Sequence, residues 1–331
     1  MIETPFTRQV GVEVPIICGA MYPCSNPELV AAASEAGAIG IIQPLSLVYV
    51  HGHRDFVEGL ALMRRLTAKP LGMNVIVERS QKVYRERMAR WVDQALEGGV
   101  RFFVTSLGNP RWVVERAATV GGVVYHDVTE RKWALKALDN GVHGLIGVNA
   151  RAGGHAGPKD PRALYDELAD LGVPLVCAGG IGDEGDFVRA LELGYAAVQM
   201  GTRFIATEEC RVHPDYKRAI LAAGEDDIVI TEKVTGVPLA IIRTPYVEKV
   251  GTKAGPLARW MLRGRRTKHW MRLLYSLKSA WQLKRASLRG SAYEEYYQAG
   301  KSVAGIRAVE SVGAIVARFA RAAERALTSG A

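Results

Sequence analysis

The sequence has few cysteines and no long apolar run, and each shortage excludes a class of protein. Four cysteines occur among 331 residues with no CxxC pair, which excludes a disulfide-stabilised scaffold and fits reduced intracellular thiols. The longest apolar runs, such as Val14 to Ala20, are far shorter than the roughly 20 residues that a bilayer span requires. The N-terminus carries acids and lacks a basic start before an apolar core, so we expect no secretory signal and a cytoplasmic protein.

Acidic residues are missing from one stretch of the chain. Residues 251–290 contain eleven lysines and arginines and no aspartate or glutamate, although the whole chain has a net charge of +9. The other 32 bases are nearly balanced by the 34 acids, so the basicity belongs to this one segment.

Eight short apolar runs alternate with helix-like segments in the first 225 residues. Runs that are apolar nearly throughout predict parallel strands buried on both faces. The predicted strands are Val14 to Cys18, Ala38 to Ile42, Leu71 to Val75, Arg101 to Val104, Gly122 to His126, Gly144 to Val148, Pro174 to Cys177 and Ala197 to Met200. Eight strands that each lead into a helix predict an α/β fold, a (β/α)8 TIM barrel. A doubly wound sheet is disfavoured, because no GxGxxG turn follows the first strand.

Residues 1–225 are therefore expected to form the barrel core. Residues 226–331 are expected to form a C-terminal extension packed on it. That extension would contain a pair of short strands or loops at 226–250, a basic helical lid at 256–288 and a closing helix from Val309 to Leu327.

Active sites of such barrels lie at the carboxyl ends of the strands. Strand seven leads into AGGIGD and strand eight into QMGTRF, which predicts a phosphate site at Gly179, Gly180, Gly201 and Thr202. The alternative is that these glycines only make tight turns. Arg203 follows directly, and it could either balance the phosphate charge or pair with Glu208.

Other strand ends carry groups that suit a cofactor. Ala20 and Met21 follow strand one, Asn74 ends strand three, and His126 and Asp127 end strand five. The stretch RAGGHAGP, with His155 among glycines, follows strand six. A phosphate anchor together with an amide, a sulfur and small residues predicts a flat phosphorylated cofactor, for which flavin mononucleotide (FMN) is the economical choice. No cysteine or other residue predicts a metal site.

Several of these motifs resemble one family. The run AGGIGDEGDFVRALELGYAAVQMGTRFIATEEC, with GAM near the start, GMN after strand three and AGGHAG after strand six, is similar to the nitronate monooxygenases, formerly called 2-nitropropane dioxygenases. These are FMN-dependent (β/α)8 barrels related to FMN-type enoyl-acyl carrier protein reductases. The resemblance covers Thr7 to Pro214, plus AGKSVAGI at Ala299 to Ile306.

The resemblance implies roles for individual residues. It places the FMN phosphate at Gly179, Gly180, Gly201 and Thr202, ring contacts at Ala20, Met21 and Asn74, and cofactor-side backbone at Gly153 and Gly154. His155 falls on the family's catalytic histidine. A histidine that titrates near neutrality can take the α-proton of a nitroalkane or polarise the nitronate, and O2 then completes the oxidation.

Three departures from the family keep other functions open. Tyr22 stands where the family often has glutamine, Arg151 replaces an acid before AGGH, and Asp127 stands where relatives have lysine. An acid near a flavin disfavours a negatively charged reduced ring. An NAD(P)H-dependent flavin reductase acting on a quinone or an enoyl or acyl thioester is therefore the alternative to nitronate oxidation.

Four residues are further candidates for contacts with the substrate or cofactor: Tyr22, His126, Asp127 and Lys301. For His126, a buried hydrogen bond is an equally open interpretation, and for Lys301 a solvated surface position is equally open.

The basic segment 256–288 has three interpretations. It could cover the barrel as amphipathic helices, steer an anionic substrate, or attach a flavin-binding protein to the surface of an anionic membrane. No nucleic-acid motif accompanies the charge, so we expect a small-molecule substrate and no nucleic acid as a partner. A homodimer is possible.

Overall fold

The computed structural model describes residues 2–51, 53, 55–77, 82–233, 237–253, 284–285, 287–288 and 296–329. Eight parallel strands close into a barrel in sequence order, with β1 paired to both β2 and β8. The predicted TIM barrel is therefore confirmed. The barrel strands are β1 (Ile16–Cys18), β2 (Ile39–Ile42), β3 (Leu71–Ile76), β4 (Phe102–Ser106), β5 (Val123–Val128), β6 (Gly144–Val148), β7 (Leu175–Ala178) and β8 (Ala197–Met200).

Helices follow the strands and cover the outside of the barrel. Several begin at a side-chain cap, as where Asp183 accepts a hydrogen bond from the N–H of Asp186 at the start of the helix after β7. The described α-helices are α1 (Pro5–Val10), α2 (Pro27–Glu35), α3 (Pro44–Tyr49), α4 (Phe56–Leu66), α5 (Lys82–Glu97), α6 (Arg111–Ala118), α7 (Arg131–Leu138), α8 (Pro161–Leu168), α9 (Glu184–Glu192), α10 (Thr202–Ile205), α11 (Pro214–Ala222), α12 (Pro245–Val250) and α13 (Val312–Ser329).

An aromatic cluster fills the amino end of the barrel. Phe6 of α1 is fully buried, and its ring meets Phe102 and Tyr125 edge-on at centroid distances of 5.8 Å. Because α1 and these rings occupy the amino end, the side chains that line an accessible pocket must come from the carboxyl end.

The C-terminal extension completes the structure around the barrel. Helix α10 after β8 is only four residues long, and α13 packs instead against α9 and α2, with Phe319 stacked on Phe187 at 5.7 Å. An antiparallel hairpin of β9 (Ile228–Thr231) and β10 (Leu239–Ile242) precedes it. The extension therefore supplies a helix to the outer ring that the segment after β8 does not provide.

The predicted basic helical segment at 256–288 lies almost entirely outside the described residues. The interpretations of that segment as a lid, a steering surface or a lipid contact therefore stay predictions. Among the helices that the structure describes, none is both long enough and apolar enough to cross a bilayer.

Candidate active site

Three strands carry polar side chains toward the barrel axis near its carboxyl end. Asn74 of β3 pairs in register with Val104, and Asp127 of β5 pairs with Ile146. Both partners belong to the cluster inside the barrel, so the two polar side chains face the same interior. Gln199 of β8 also faces inward, beside Ile17 of the same cluster in register. Two amides and one carboxyl are thus available to a ligand at this end.

The loop after β6 is fastened to its surroundings on two sides. Asn149 is fully buried, and its Nδ2 donates to the carbonyl of Gly179 at 3.0 Å. From the other side, the N–H of Ala240 in β10 donates to the carbonyl of Gly154 at 2.8 Å. His155, the next residue, is therefore carried at the mouth of the barrel on a loop whose backbone is held in place.

The imidazole of His155 is available for chemistry. Its side chain reaches the surface of the mouth and makes no hydrogen bond to another residue that the structure describes. Protein packed around the ring lowers the pKa of the imidazole below its ordinary value. A neutral ring with a free nitrogen can accept a proton at neutral pH.

The turns after β7 and β8 present free backbone donors. Gly179 and Gly180 have φ values of +119° and +83°, a region that favours glycine, and a methyl group on Gly179 would lie 2.5 Å from the nitrogen of Ala152. The N–H groups of Gly180, Gly201 and Thr202 donate to no acceptor among the described residues. Unused N–H groups on neighbouring turns are the donors that a phosphate group needs.

Residues 299–305 of the C-terminal extension cross the same end of the barrel. The N–H of Gly300 donates to Thr202 Oγ1 at 3.0 Å, and the N–H of Lys301 donates to the carbonyl of Arg151 at 2.9 Å. A methyl group on Gly153 would lie only 2.8 Å from the nitrogen of Gly300. The Lys301 side chain forms no ion pair within the described part of the chain. The segment therefore interlocks with the loops after β6 and β8.

The residues after β1 divide between two environments. Ala20 packs against the cluster inside the barrel, and the sulfur of Met21 would lie 3.4 Å from a methyl group on Gly201. Tyr22 packs instead on the apolar cluster around Leu239 of β10. Ala20 and Met21 thus border the free donors, whereas Tyr22 supports the hairpin.

The two polar residues that end β5 face in opposite directions. His126 is buried on the outer face, where its Nδ1 lies 2.8 Å from Thr105 Oγ1, and burial lowers the pKa of its imidazole to about 4. The structure therefore gives His126 the buried hydrogen bond and not a place in the mouth. Asp127 faces inward, its Oδ1 is buried without a hydrogen-bond partner, and burial raises the pKa of the carboxyl to about 7.

Arg203 is buried and paired with a residue of the C-terminal extension. Its side chain is 1% exposed, and Nη2 lies 2.7 Å from Glu310 Oε2 while Nη1 donates to the carbonyl of Ala308 at 3.1 Å. The expected ion pair with Glu208 is therefore replaced by one with Glu310, and a contact of Arg203 with the phosphate stays a prediction. Glu310 lies just before α13, 107 residues from Arg203 in the sequence, so sequence spacing could not predict this ion pair.

Sequence reasoning also missed residues that shape the mouth. Asn149 lies two residues before the RAGGHAGP stretch that it holds, and its position before a glycine-rich loop was a usable signal. Gln199 lies within a predicted strand and was not assigned to the interior. Glu225 pairs with Arg151 across 74 residues of chain, and no local pattern indicates that ion pair.

A sequence model of the nitronate monooxygenase family matches residues 3–321. The chain belongs to the nitronate monooxygenase family. A probable nitronate monooxygenase of Staphylococcus saprophyticus is 27% identical over 292 residues, which cover 75% of this chain and 81% of that protein. The (3aS,4S,5R,7aS)-5-hydroxy-7a-methyl-1-oxo-octahydro-1H-indene-4-carboxyl-CoA dehydrogenase of Mycobacterium tuberculosis is 30% identical over 253 residues, which cover 75% of this chain and 68% of that enzyme.

Among solved structures, FabK from Thermotoga maritima is similar over nearly the whole fold. It superposes with a TM-score of 0.82 at 27% identity and covers 99% of this chain and 98% of its own. Together with the family match, this likeness makes the chain an FMN-dependent oxidoreductase.

The mouth of this nitronate monooxygenase family member has features that suit FMN. The free N–H groups of Gly180, Gly201 and Thr202 can hold a phosphate. In the turn after β7, a Cβ on Gly179 or Gly180 would collide with the loop after β6, so glycine is needed there to keep the two loops this close. Inside the barrel, the unpartnered Asp127 oxygen offers a polar contact to a bound group. The residues present therefore fit the cofactor that the family uses.

Proposed function

We propose that this protein oxidises or reduces a substrate whose reacting carbon carries an acidic C–H bond, with His155 as the catalytic acid or base. The unpaired imidazole on the fastened loop after β6 is the observation that supports this proposal. Because the pKa of His155 is lowered by its surroundings, the ring is neutral near pH 7 and can accept the proton.

In this proposal FMN is held by two groups of residues. The phosphate is bound by the backbone of Gly179, Gly180, Gly201 and Thr202. The flavin ring is bordered by Ala20, Met21 and Asn74, with the backbone of Gly153 and Gly154 on the cofactor side. When bound, FMN supplies the two-electron chemistry, while the protein orients the substrate and moves the proton.

The first substrate class is an alkyl nitronate, with O2 as the final electron acceptor. A nitro group acidifies the neighbouring C–H bond, so one histidine is sufficient to take that proton from the parent nitroalkane or to polarise the nitronate itself. The family assignment supports this class, because the chain matches the family model over residues 3–321.

The second substrate class is an acyl-coenzyme A thioester, with NAD(P)H as a possible reductant. Its thioester carbonyl acidifies the neighbouring C–H bond in the same way. Two relatives at 30% and 29% identity are CoA dehydrogenases by name, which favours this class. The run of eleven bases without an acid at 251–290 would also suit the phosphates of coenzyme A.

Anaerobic mixing of the purified holoprotein separates the two classes. Bleaching of the flavin by propionate 3-nitronate alone would support nitronate oxidation. Bleaching by NADPH, or by a saturated acyl-CoA, would support thioester chemistry. A protein that purifies colourless and does not retain added FMN would overturn the whole proposal.

His155→Ala tests the assigned base. We expect the variant to retain FMN, because no contact holding the loop uses the imidazole, and to lose about 100-fold or more in turnover with the active substrate class. His143→Asn is the matched control, since His143 is exposed before β6 at the amino end of the barrel. Equal turnover of both variants and wild type would remove His155 from the mechanism.

A further inference from the structure

Asp127 places a carboxyl group inside the barrel, where no described residue forms a stabilising contact with it. It lies on the inward face of β5, two residues beyond Tyr125, whose ring packs inside the barrel. The neighbouring strands present Val104 and Ile146 to the same interior. An apolar side chain would continue this packing, whereas a carboxyl there must be desolvated.

The carboxyl also lacks the partners that other acids near the mouth have. Asp127 Oδ1 is buried without a hydrogen bond, and the residue forms no ion pair with any other described residue. By contrast, Glu225 pairs with Arg151, and Asp186 accepts hydrogen bonds from the N–H of Gly182. A buried polar atom without a partner destabilises a fold, so its presence at the ligand-binding end of a barrel indicates a partner that arrives with the ligand.

We propose that Asp127 is a cofactor-site residue that contacts the flavin ring from inside the barrel and disfavours negative charge on that ring. This inference rests on the proposed FMN site. Asp127 acts here as a positioning and tuning residue, and His155 keeps the proton transfer with the substrate. The consequence is a site that favours the neutral reduced flavin over its anion.

The charges around Asp127 make the effect measurable. Near Asp127, the inward residues of the flanking strands are Val104, Ser106, Ile146 and Val148, which are uncharged, and the amides of Asn74 and Gln199 are neutral. Among the described residues of the rim, Arg151 is charged but is paired with Glu225. His155 and Lys301 are also ionisable and lie at this rim. Changing Asp127 thus removes an acid that has no fixed counterion.

The test uses sulfite, which adds to the flavin ring and leaves it negatively charged. Sulfite affinity is titrated by absorbance on three FMN-loaded proteins: wild type, Asp127→Asn and Asp127→Leu. Asparagine keeps the size and one acceptor oxygen without the charge, and leucine keeps neither the charge nor a polar atom. Glu115→Gln on the exposed face of α6 is the control for loss of one carboxylate elsewhere.

At about pH 8, where the wild-type carboxyl is ionised, we expect both Asp127 variants to bind sulfite roughly tenfold or more tightly than wild type. At about pH 6 the difference should shrink, because burial raises the pKa of Asp127 and the wild-type carboxyl is then protonated. Glu115→Gln should follow wild type at both values.

Equal sulfite affinity of wild type and both Asp127 variants at about pH 8 would overturn the inference. A gap of the same size at both pH values would also overturn it, since a packing change alone would not follow the ionisation of the carboxyl. Failure of the proposed function is a separate outcome, because wild-type protein would then not bind FMN at all.

Discussion

Replacing Glu310 by glutamine should destabilise the protein by removing the counterion of a buried arginine. The Arg203 side chain is 1% exposed, and its Nη2 lies 2.7 Å from Glu310 Oε2. Breaking a buried ion pair on one side leaves an uncompensated charge and costs about 3–5 kcal/mol. Because Glu310 is itself 27% exposed, we expect the lower end, about 3 kcal/mol.

The expected shift in melting temperature follows from chain length. For 331 residues the entropy of unfolding is about 0.7 kcal/mol per kelvin, so a loss of about 3 kcal/mol lowers Tm by about 4 °C. Calorimetry or thermal unfolding by circular dichroism on wild type and Glu310→Gln measures this shift. The FMN affinity should fall as well, because Arg203 also holds the carbonyl of Ala308 close to the segment that contacts Thr202.

Two companion variants make the reasoning refutable. Arg318 also pairs with Glu310 but is 33% exposed, so Arg318→Ala should cost under about 1 kcal/mol. The double variant Arg203→Met with Glu310→Leu replaces both charges by apolar groups and should be more stable than Glu310→Gln. If the Tm of Glu310→Gln lies within about 1 °C of the Tm of Arg318→Ala, the buried charge of Arg203 does not require Glu310 as its counterion.

Three further predictions concern the outer faces of β4 and β5 and the loop after β6. Thr105→Val should cost about 1–3 kcal/mol at pH 7 in urea unfolding, because the hydroxyl donates to the Tyr125 carbonyl at 3.0 Å and lies 2.8 Å from His126 Nδ1. Since the pKa of His126 is lowered to about 4 in the folded state, its contribution to stability is present above about pH 6.5 and should be lost as the pH falls toward 4. His126→Gln should remove this pH dependence of the unfolding free energy. Gly153→Ala should lower both Tm and FMN affinity, because the new methyl group would lie 2.8 Å from the backbone nitrogen of Gly300. Its control is Gly313→Ala in α13, where the methyl group has open space and should stabilise the protein by up to about 1 kcal/mol. Equal Tm values for the two variants would contradict the close approach at Gly153.

The sequence was sufficient to predict the barrel because its strands are buried on both faces. Each of the eight apolar runs became a strand, and the observed ends differ by no more than two residues. The same property hid the direction of individual side chains. A strand that is apolar on both faces has no alternation to show which face is inside, so the sequence could not decide which of His126 and Asp127 points inward before the pairing register was known.

Contacts between distant parts of the chain were the other limit. Arg203 and Glu310 are 107 residues apart, and Arg151 and Glu225 are 74 apart. Local spacing can indicate a cap or a turn, but it carries no information on which charges meet across a fold. Only the strand order, once closed, brings these segments to the same end of the barrel.

The structure gives the glycines of the AGGH loop a physical cause that the sequence interpretation did not include. The sequence interpretation was that Gly153 lets backbone pass along the flavin. In the structure, a methyl group on Gly153 would collide with Gly300, and one on Gly300 would lie 2.5 Å from the nitrogen of Gly153. The loop that carries AGGH and the segment that carries AGKS therefore pack backbone against backbone, and each needs a glycine where they meet. Since the N–H of Gly300 also donates to Thr202 Oγ1, the close approach that requires glycine at 153 also fixes Thr202, one of the residues predicted to bind the phosphate.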